Sequence, residues 1–268
     1  MRGLMRTDYK TLSVERVEDH ILIVTLDRPG VANAMNTQMG IEEKEFFEGL
    51  FVDTEDLRCV IITGRGDRAF CAGADLKERK GMTEEAWRRQ HSLFELSALA
   101  LRACPIPVIA AVNGAAYAGG CELALHADFI YASRTARFAL TEVTLGIMPG
   151  FMGTQNLPLA VGERRAKEII LTGRPFTAEE AYAWGLVNRV CEPEALIDET
   201  LETARCIASN APLSLMRAKR AISVATQVDR HTGYQFELEA YNRLINTEDR
   251  HEGILAFNEK RKPNFKGK

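Results

Sequence analysis

The segment most informative about the fold is Asn113-Gly114-Ala115-Ala116-Tyr117-Ala118-Gly119-Gly120-Cys121-Glu122-Leu123. It follows a short apolar run at residues 107–112, which is typical of a buried strand, and its glycine pair opens a predicted helix. Small residues let a ligand approach the backbone closely, and the N–H groups at a helix start point outward without partners. The stretch therefore predicts a strand, a turn that presents N–H donors, and a helix, in that order.

A second loop, residues 70–76, has a similar composition. Small residues flank Gly73 just after a predicted strand and just before a predicted helix. Taken alone, each loop is better explained by a tight turn and close helix packing. If the fold brings the two loops together, their N–H groups form an oxyanion hole for a carbonyl that gains negative charge.

Two carboxylates lie close to these loops in the sequence. Glu122 falls in the first turn after the glycine pair, and Glu142 follows the apolar run at residues 138–140. Each one alone is explained by a helix dipole or by an ordinary helix start. They matter as an acid–base pair only if the fold places them face to face.

The bulk composition excludes several classes of protein. With 268 residues, 46% of them hydrophobic and 26% charged, the chain is typical of a soluble globular protein with a sizeable core. Its net charge of −3 gives no general attraction to nucleic acid, so we expect no nucleic-acid partner. No apolar run approaches the ~20 residues of a membrane helix, so we expect no membrane association.

The N-terminus and the cysteines bear on location and metal binding. Arg2 and Arg6 are followed by Asp8, without an apolar segment that leads to a cleavage site, so we expect no signal peptide and a cytoplasmic protein. The 6 cysteines and 5 histidines are scattered, without the spacings of a disulfide framework or a zinc site. We therefore expect no metal. Dinucleotide and P-loop fingerprints are absent as well.

Periodicity predicts an α/β core followed by helices. We predict a hairpin over residues 12–26, a helix over 37–50, buried strands over 59–64 and 107–112, further strands over 129–132 and 137–140, a loop over 65–75, and helices for most of the chain after 163. We divide the chain into a core, residues 1–200, and a helical C-terminal region, residues 201–268. Periodicity alone does not separate a doubly wound sheet from a spiral of ββα turns.

Five segments together resemble one known family. They are AFCAGADLKE (69–78), NGAAYAGGCELALHAD (113–128), TEVTLGIMPG followed by GTQ (141–155), LTGRPFTAEEAYAWGLVNRV (171–190) and EGILAFNEKRKPNFKGK (252–268). In order and spacing they resemble the enoyl-CoA hydratase/isomerase (crotonase) superfamily over nearly the whole chain. Within it, the chain is most similar to methylglutaconyl-CoA hydratase-like and generic bacterial enoyl-CoA hydratases.

The resemblance implies a fold, an assembly and a substrate. The expected fold is a ClpP/crotonase-like spiral of ββα units with a helical C-terminal trimerisation region. The expected assembly is a homotrimer or a hexamer made of two trimers. The expected substrate is an acyl-CoA thioester, with coenzyme A as part of the substrate and no bound prosthetic group.

The resemblance also implies roles for particular residues. The oxyanion-hole N–H groups are expected at Ala74 and Gly119, with Glu122 as the base toward water and Glu142 as the acid toward C2. Phe257 and Lys260 match positions that reach the coenzyme A of a neighbouring subunit. The full set of expected coenzyme A contacts is Ala32, Ala34, Ala72, Ala74, Asp75, Leu76, Lys77, Phe257 and Lys260.

Two departures from the family pattern stand near the site. Ala118 replaces the first of three glycines that family members often have, and Phe151 with Met152 replaces small residues in the loop after Glu142. One hypothesis is that Phe151 and Met152 narrow the acyl pocket. The alternative is that they point into the core.

The presence of both glutamates favours a hydratase, which adds water across the 2,3 double bond of an enoyl-CoA. The alternative within the family is a Δ3,Δ2-enoyl-CoA isomerase or another crotonase-type lyase, because relatives that shift a double bond usually need only the second carboxylate. An alternative of another class is a coenzyme A-binding or RNA-binding protein with little catalysis. The sequence contains no RNA-binding motif and no extended basic stripe that would support it.

Overall fold

The structure is a computed structural model that describes residues 8–268, so Arg2 and Arg6 lie outside the described residues. The strands are β1 Leu12–Glu18, β2 Ile21–Leu26, β3 Cys59–Gly64, β4 Ala69–Cys71, β5 Val108–Val112, β6 Ala115–Tyr117, β7 Phe129–Ser133, β8 Arg137–Ala139, β9 Phe176–Thr177 and β10 Arg189–Cys191. The helices are α1 Thr37–Val52, α2 Leu76–Arg79, α3 Glu84–Ala103, α4 Gly119–Ala124, α5 Gly153–Val161, α6 Glu163–Thr172, α7 Ala178–Ala183, α8 Leu196–Ala208, α9 Pro212–Ala225, α10 Arg230–Asn242 and α11 Glu248–Asn258. Two short 3-10 helices cover Pro29–Val31 and Glu142–Leu145.

A six-stranded sheet forms the centre of the described chain. Its strand order is β1-β2-β3-β5-β7-β10, with β1 and β2 antiparallel and the remaining neighbours parallel. Every residue of β3 and β5 is buried, because a parallel strand between two covered faces needs apolar side chains on both. The hairpin and these two strands lie where the sequence pattern predicts them.

A smaller sheet, in the order β4-β6-β8-β9, lies beside the first. The chain passes from β3 to β4, from β5 to β6 and from β7 to β8, so each turn of the spiral contributes one strand to each sheet. The strands β4 and β6 fall within the segments that the sequence pattern assigned to loops. Strands of three residues are too short to show a period of two, so side-chain alternation could not identify them.

The C-terminal helices form the least buried layer. The helix α8 runs across residue 200 and packs on the central sheet, with Ala204 and Ala208 in one core cluster with β3 residues. By contrast, α9 has no buried residue and α10 has only Ala240. Across residues 8–268, no helix combines the length and the apolar character that a bilayer-spanning segment requires.

Candidate active site

Two turns with positive φ angles orient the candidate oxyanion donors. Gly73, with φ of 90°, precedes Ala74, and Ala118, with φ of 49° and ψ of −124°, precedes Gly119. The ψ angle of a residue sets the direction of the next N–H, so these two residues aim the two donors. Glycine adopts such angles without penalty, whereas alanine is strained there.

The two turns lie against each other. A methyl group built on Gly73 would come within 2.9 Å of the Tyr117 carbonyl oxygen and 3.1 Å of the Gly119 nitrogen. A methyl group built on Gly119 would lie 3.8 Å from the Ala74 nitrogen. Within residues 8–268, neither the N–H of Ala74 nor that of Gly119 donates a hydrogen bond. The fold thus brings together two uncommitted N–H groups, as an oxyanion hole requires.

Glu122 is held beside these donors by the loop that follows Glu142. Its Oε1 accepts hydrogen bonds from the N–H groups of Phe151, at 2.8 Å, and of Gly153, at 2.7 Å. The side chain is only 2% exposed. Burial, followed by the negative charge of Glu142, raises the pKa of Glu122 to about 8, although the two N–H donors stabilise its charged form.

Glu142 lies close to Glu122, and the two carboxyl groups affect each other's pKa. Both carboxyl oxygens of Glu142 are buried, and neither has a hydrogen-bond partner of ordinary geometry among the described residues. Burial raises its pKa as well. Buried polar atoms are nearly always hydrogen-bonded in folded proteins, so two such oxygens in a cavity indicate a place for water or a substrate.

One cavity of about 420 Å³ joins the two glutamates to the two donors. The residues that line it are Met35, Ala72, Ala74, Leu76, Arg79, Trp87, His91, Phe94, Ala118, Gly119, Glu122, Thr141, Glu142, Leu145, Ile147, Met148, Gly150 and Phe151. Most of these side chains are apolar, as is usual where a pocket encloses a ligand and a few polar groups orient it.

The expected coenzyme A segments lie side by side. The Ala72 N–H donates to the Ala32 carbonyl oxygen at 3.1 Å, and Met35 and Ala74 form a parallel bridge. The segment that contains Ala32 and Ala34 therefore runs along the loop at residues 72–77. Lys77 is exposed at the start of α2.

Other expected coenzyme A residues occupy different settings. The Asp75 carboxylate caps α2 through the N–H groups of Lys77 and Glu78 and pairs with Arg28 at 2.9 Å, so its side chain is engaged within the protein. Phe257 is 84% exposed on α11, and Lys260 follows that helix; neither lines the cavity that contains Glu122.

Phe151 and Met152 lie in different surroundings. Phe151 lines the cavity and also packs into the core, with its ring centroid 4.9 Å from that of His126 and 6.5 Å from that of Phe94. Met152 packs against the core from a partly buried position and is not part of the cavity lining. It precedes α5 with φ of 67°, a conformation that favours glycine.

Sequence reasoning missed one wall of the cavity. This wall is formed by α2 and α3. Its side chains are Arg79, Trp87, His91 and Phe94, which lie outside the recognised sequence motifs. Their spacing of three to four residues along α3 was the available signal, because it places Trp87, His91 and Phe94 on one helix face. Among residues 8–268, no group of three or more histidine, cysteine or acidic side chains is arranged to hold a metal ion.

The spiral of ββα units and the paired N–H donors beside two carboxyl groups define a class of oxyanion-hole protein. The family model described as Enoyl-CoA hydratase/isomerase matches residues 16–268. This chain therefore belongs to the enoyl-CoA hydratase/isomerase family and has the crotonase fold that the five segments indicated.

Individual relatives cover nearly all of the chain. YngF of Bacillus subtilis (strain 168), whose name places it among the enoyl-CoA hydratases/isomerases, is 45% identical over 93% of this chain and 95% of its own. A short-chain-enoyl-CoA hydratase of Clostridium acetobutylicum is 41% identical over 91% of this chain and 94% of its own. The crystal structure of an enoyl-CoA hydratase from Bacillus anthracis superposes with a TM-score of 0.95 at 44% identity, covering 97% of this chain and 100% of that one.

Proposed function

We propose that this protein is an enoyl-CoA hydratase that adds water across the 2,3 double bond of an acyl-CoA thioester. The observation that carries the proposal is the pair of buried carboxyl groups, Glu122 and Glu142, in one cavity with the uncommitted N–H groups of Ala74 and Gly119. The names of the relatives at 41–45% identity support the same activity.

The two N–H groups bind the thioester carbonyl. As water attacks C3, negative charge moves onto that oxygen, and the donors of Ala74 and Gly119 stabilise the resulting enolate. A single donor of this kind contributes ~3 kcal/mol to transition-state stabilisation. Because Gly73 and Ala118 fix the direction of both N–H groups, little reorganisation is needed during the reaction.

The two carboxyl groups share one proton at neutral pH. Since the pKa of Glu122 is about 8 in the presence of the charged Glu142, the pair loses its last proton only near that pH. Burial and the charge of Glu142 favour the proton on Glu122, whereas the N–H groups of Phe151 and Gly153 favour the charge there. In the hydration step Glu122 acts in its charged form as the base toward water, and Glu142 acts in its protonated form and delivers a proton to C2.

Coenzyme A binds along the segments at residues 32–34 and 72–77. The backbone there comes from small residues that a ligand can approach closely, and Lys77 lies exposed where it can contact a phosphate. The protein needs no prosthetic group for this reaction, because the oxyanion hole and the two carboxyl groups supply the acid, the base and the charge stabilisation.

The active assembly is a homotrimer or a hexamer. Large apolar side chains are exposed on the C-terminal helices, among them Ile222, Tyr234, Tyr241 and Phe257. Such side chains are typical of a subunit interface. Phe257 and Lys260 then reach the coenzyme A of the neighbouring subunit. Light scattering coupled to size-exclusion chromatography tests the assembly, and a monomer at micromolar concentration would contradict it.

The hydration of crotonyl-CoA tests the activity directly, through the loss of absorbance of the conjugated thioester. We expect wild-type protein to hydrate it and Glu122→Gln and Glu142→Gln each to lower kcat by about 10²- to 10⁴-fold. Glu194→Gln, an exposed glutamate outside the cavity, is the matched control. Wild-type protein that converts 3-enoyl-CoA but hydrates no 2-enoyl-CoA would instead be an isomerase.

A further inference from the structure

Arg79 places a cation in the cavity that contains Glu122 and Glu142. It is the last residue of α2, and it is the one arginine or lysine among the lining residues within 8–268. Its guanidinium carbon lies 4.3 Å from the centroid of the Trp87 ring and 5.6 Å from that of Phe94. Burial lowers its pKa, but a guanidinium remains charged at any physiological pH.

A buried glutamine holds this guanidinium in one orientation. The Nε of Arg79 donates to Oε1 of Gln90 at 2.8 Å. Gln90 cannot turn, because its Nε2 donates to Oγ1 of Thr37 at 2.8 Å and to Oε2 of Glu78 at 2.7 Å. The two terminal nitrogens of Arg79 donate to no group within residues 8–268. The protein therefore presents a preorganised pair of donors to the cavity.

No acidic side chain in the described part of the chain forms an ion pair with Arg79. The one charged group that shifts its pKa is Glu78, whose carboxylate accepts hydrogen bonds from the Thr37 N–H and from Gln90. A partly buried charge without a partner is unfavourable unless a ligand supplies the counter-charge.

We propose that Arg79 binds a carboxylate at the far end of the acyl group, so that the enzyme prefers 2-enoyl-CoA substrates derived from dicarboxylic acids. The proposal deepens the hydratase function and rests on it. The aromatic rings of Trp87 and Phe94 enclose the methylene chain, and the terminal nitrogens of Arg79 match the two oxygens of a carboxylate. An acyl chain that ends in a methyl group leaves the guanidinium without a counter-charge.

The anionic group could instead be a phosphate of coenzyme A. Both sources offer oxygen acceptors to the same guanidinium, but every acyl-CoA carries the phosphates and only some carry the distal carboxylate. Substrate pairs of equal chain length that differ only at the end of the acyl group separate the two. Two such pairs are available. One is pent-2-enoyl-CoA and the five-carbon thioester in which C5 is a carboxylate instead of a methyl group. The other is hex-2-enoyl-CoA and the six-carbon thioester in which C6 is a carboxylate.

The first experiment compares kcat/KM within each pair for wild-type protein, Arg79→Met, Arg79→Lys and the control Arg88→Gln. Arg88 is exposed on α3 and pairs with Glu84. We expect wild-type protein to favour the carboxylate substrate of at least one pair and Arg79→Met to lower that preference by about 10- to 100-fold. Arg79→Lys retains part of it, and Arg88→Gln retains all of it. The proposal is overturned if the ratio of the two kcat/KM values in Arg79→Met stays within twofold of the wild-type ratio. It is also overturned if Arg79→Met lowers kcat/KM equally for both members of a pair, and that result would assign Arg79 to coenzyme A binding.

The second experiment does not depend on catalysis. Calorimetry measures the Kd of glutaryl-CoA and of pentanoyl-CoA, which have acyl chains of five carbons and cannot be hydrated. We expect tighter binding of glutaryl-CoA to wild-type protein and loss of this difference in Arg79→Met. If wild-type protein hydrates no enoyl-CoA yet shows this difference, the hydratase function fails and the carboxylate site stands. If it hydrates pent-2-enoyl-CoA but binds both thioesters equally, the carboxylate site fails alone.

Discussion

The imidazole of His126 donates a hydrogen bond from Nε2 to the carbonyl oxygen of Phe151, across 2.9 Å. The tautomer of His126 follows from its contact with Asn156. Because Arg102 donates to Oδ1 of Asn156, the other amide atom, Nδ2, is the one that lies 3.3 Å from Nδ1 of His126. Nδ1 is thus the acceptor and Nε2 carries the hydrogen. Since the Phe151 N–H binds Glu122, the imidazole fixes the peptide units that position the base.

The first prediction concerns this positioning role. His126→Leu leaves the Phe151 carbonyl without its donor and loosens Glu122, so we expect kcat for crotonyl-CoA hydration to fall by about 10- to 100-fold with KM changed less than about threefold. His126→Gln retains an N–H donor and should recover most of kcat. The control is His231→Leu, an exposed histidine on α10. Equal losses in the glutamine and leucine variants would argue for a role in packing alone.

The second prediction concerns the strain at Ala118. Its φ of 49° with ψ of −124° is unfavourable for alanine by ~1–3 kcal/mol, whereas glycine adds ~0.5–1 kcal/mol of backbone entropy cost. The relief of strain is the larger effect. We therefore expect Ala118→Gly to raise the free energy of unfolding by about 1 kcal/mol, measured by urea denaturation. Ala116→Gly, at a buried β6 position with ordinary backbone angles, should lower it. A destabilised Ala118→Gly variant would show that the turn tolerates the methyl group without strain.

The two loops that meet at the candidate site were easier to identify from the sequence than the walls of the cavity. The segments around Ala74 and Gly119 were predictable because a few glycines and small residues determine a turn locally. The role of His126 was not, because its partner Phe151 lies 25 positions away in the chain and only the fold brings them together. Arg79 was missed for the same reason: the glutamine that orients it lies on another helix.

The burial of one ionisable side chain, Glu43, was predictable from the helical period of α1. The predicted apolar face of α1 contains Met39, Phe46, Phe47 and Leu50. Glu43 lies four residues after Met39, so the helical period places it on the same face. Apolar periodicity does not reveal such a position, because it uses only the hydrophobic residues of a helix face and ignores a polar residue among them.

The third prediction concerns the pH dependence of hydration. The reaction needs one proton on the Glu122–Glu142 pair, and the pKa of Glu122 is raised to about 8 by burial and by the charge of Glu142. Below that pH the pair keeps its proton, and above it the general acid is lost. We expect kcat/KM to fall about tenfold per pH unit above about 8. The profile is measured between pH 6 and 9.5, with spontaneous thioester hydrolysis subtracted. A rate that stays constant to pH 9.5 would contradict the shared proton.

The fourth prediction concerns Glu43, a carboxylic acid in the core that the proposed reaction does not use. It is 3% exposed, neither oxygen has a hydrogen-bond partner among the described residues, and burial raises its pKa to about 8. The unfolded chain releases this proton near the ordinary value of 4.5, so the folded state binds more protons between about pH 4.5 and 8. The contribution of Glu43 to stability is therefore present at low pH and is lost as the pH rises through this window.

Two substitutions separate the charge of Glu43 from its polarity. Glu43→Gln cannot ionise, so we expect its stability advantage over wild-type protein to grow by about 3 kcal/mol between pH 5 and pH 8. Glu43→Leu also removes the unpaired polar atoms, which should add about 1–3 kcal/mol at both pH values. Urea denaturation at the two pH values measures both effects, and Glu48→Gln, exposed on the same helix, is the control. An advantage of Glu43→Gln that is equal at pH 5 and pH 8 would mean that Glu43 does not titrate in this window. The carboxyl group would then be solvated or paired in solution, and its burial would carry no pH-dependent cost.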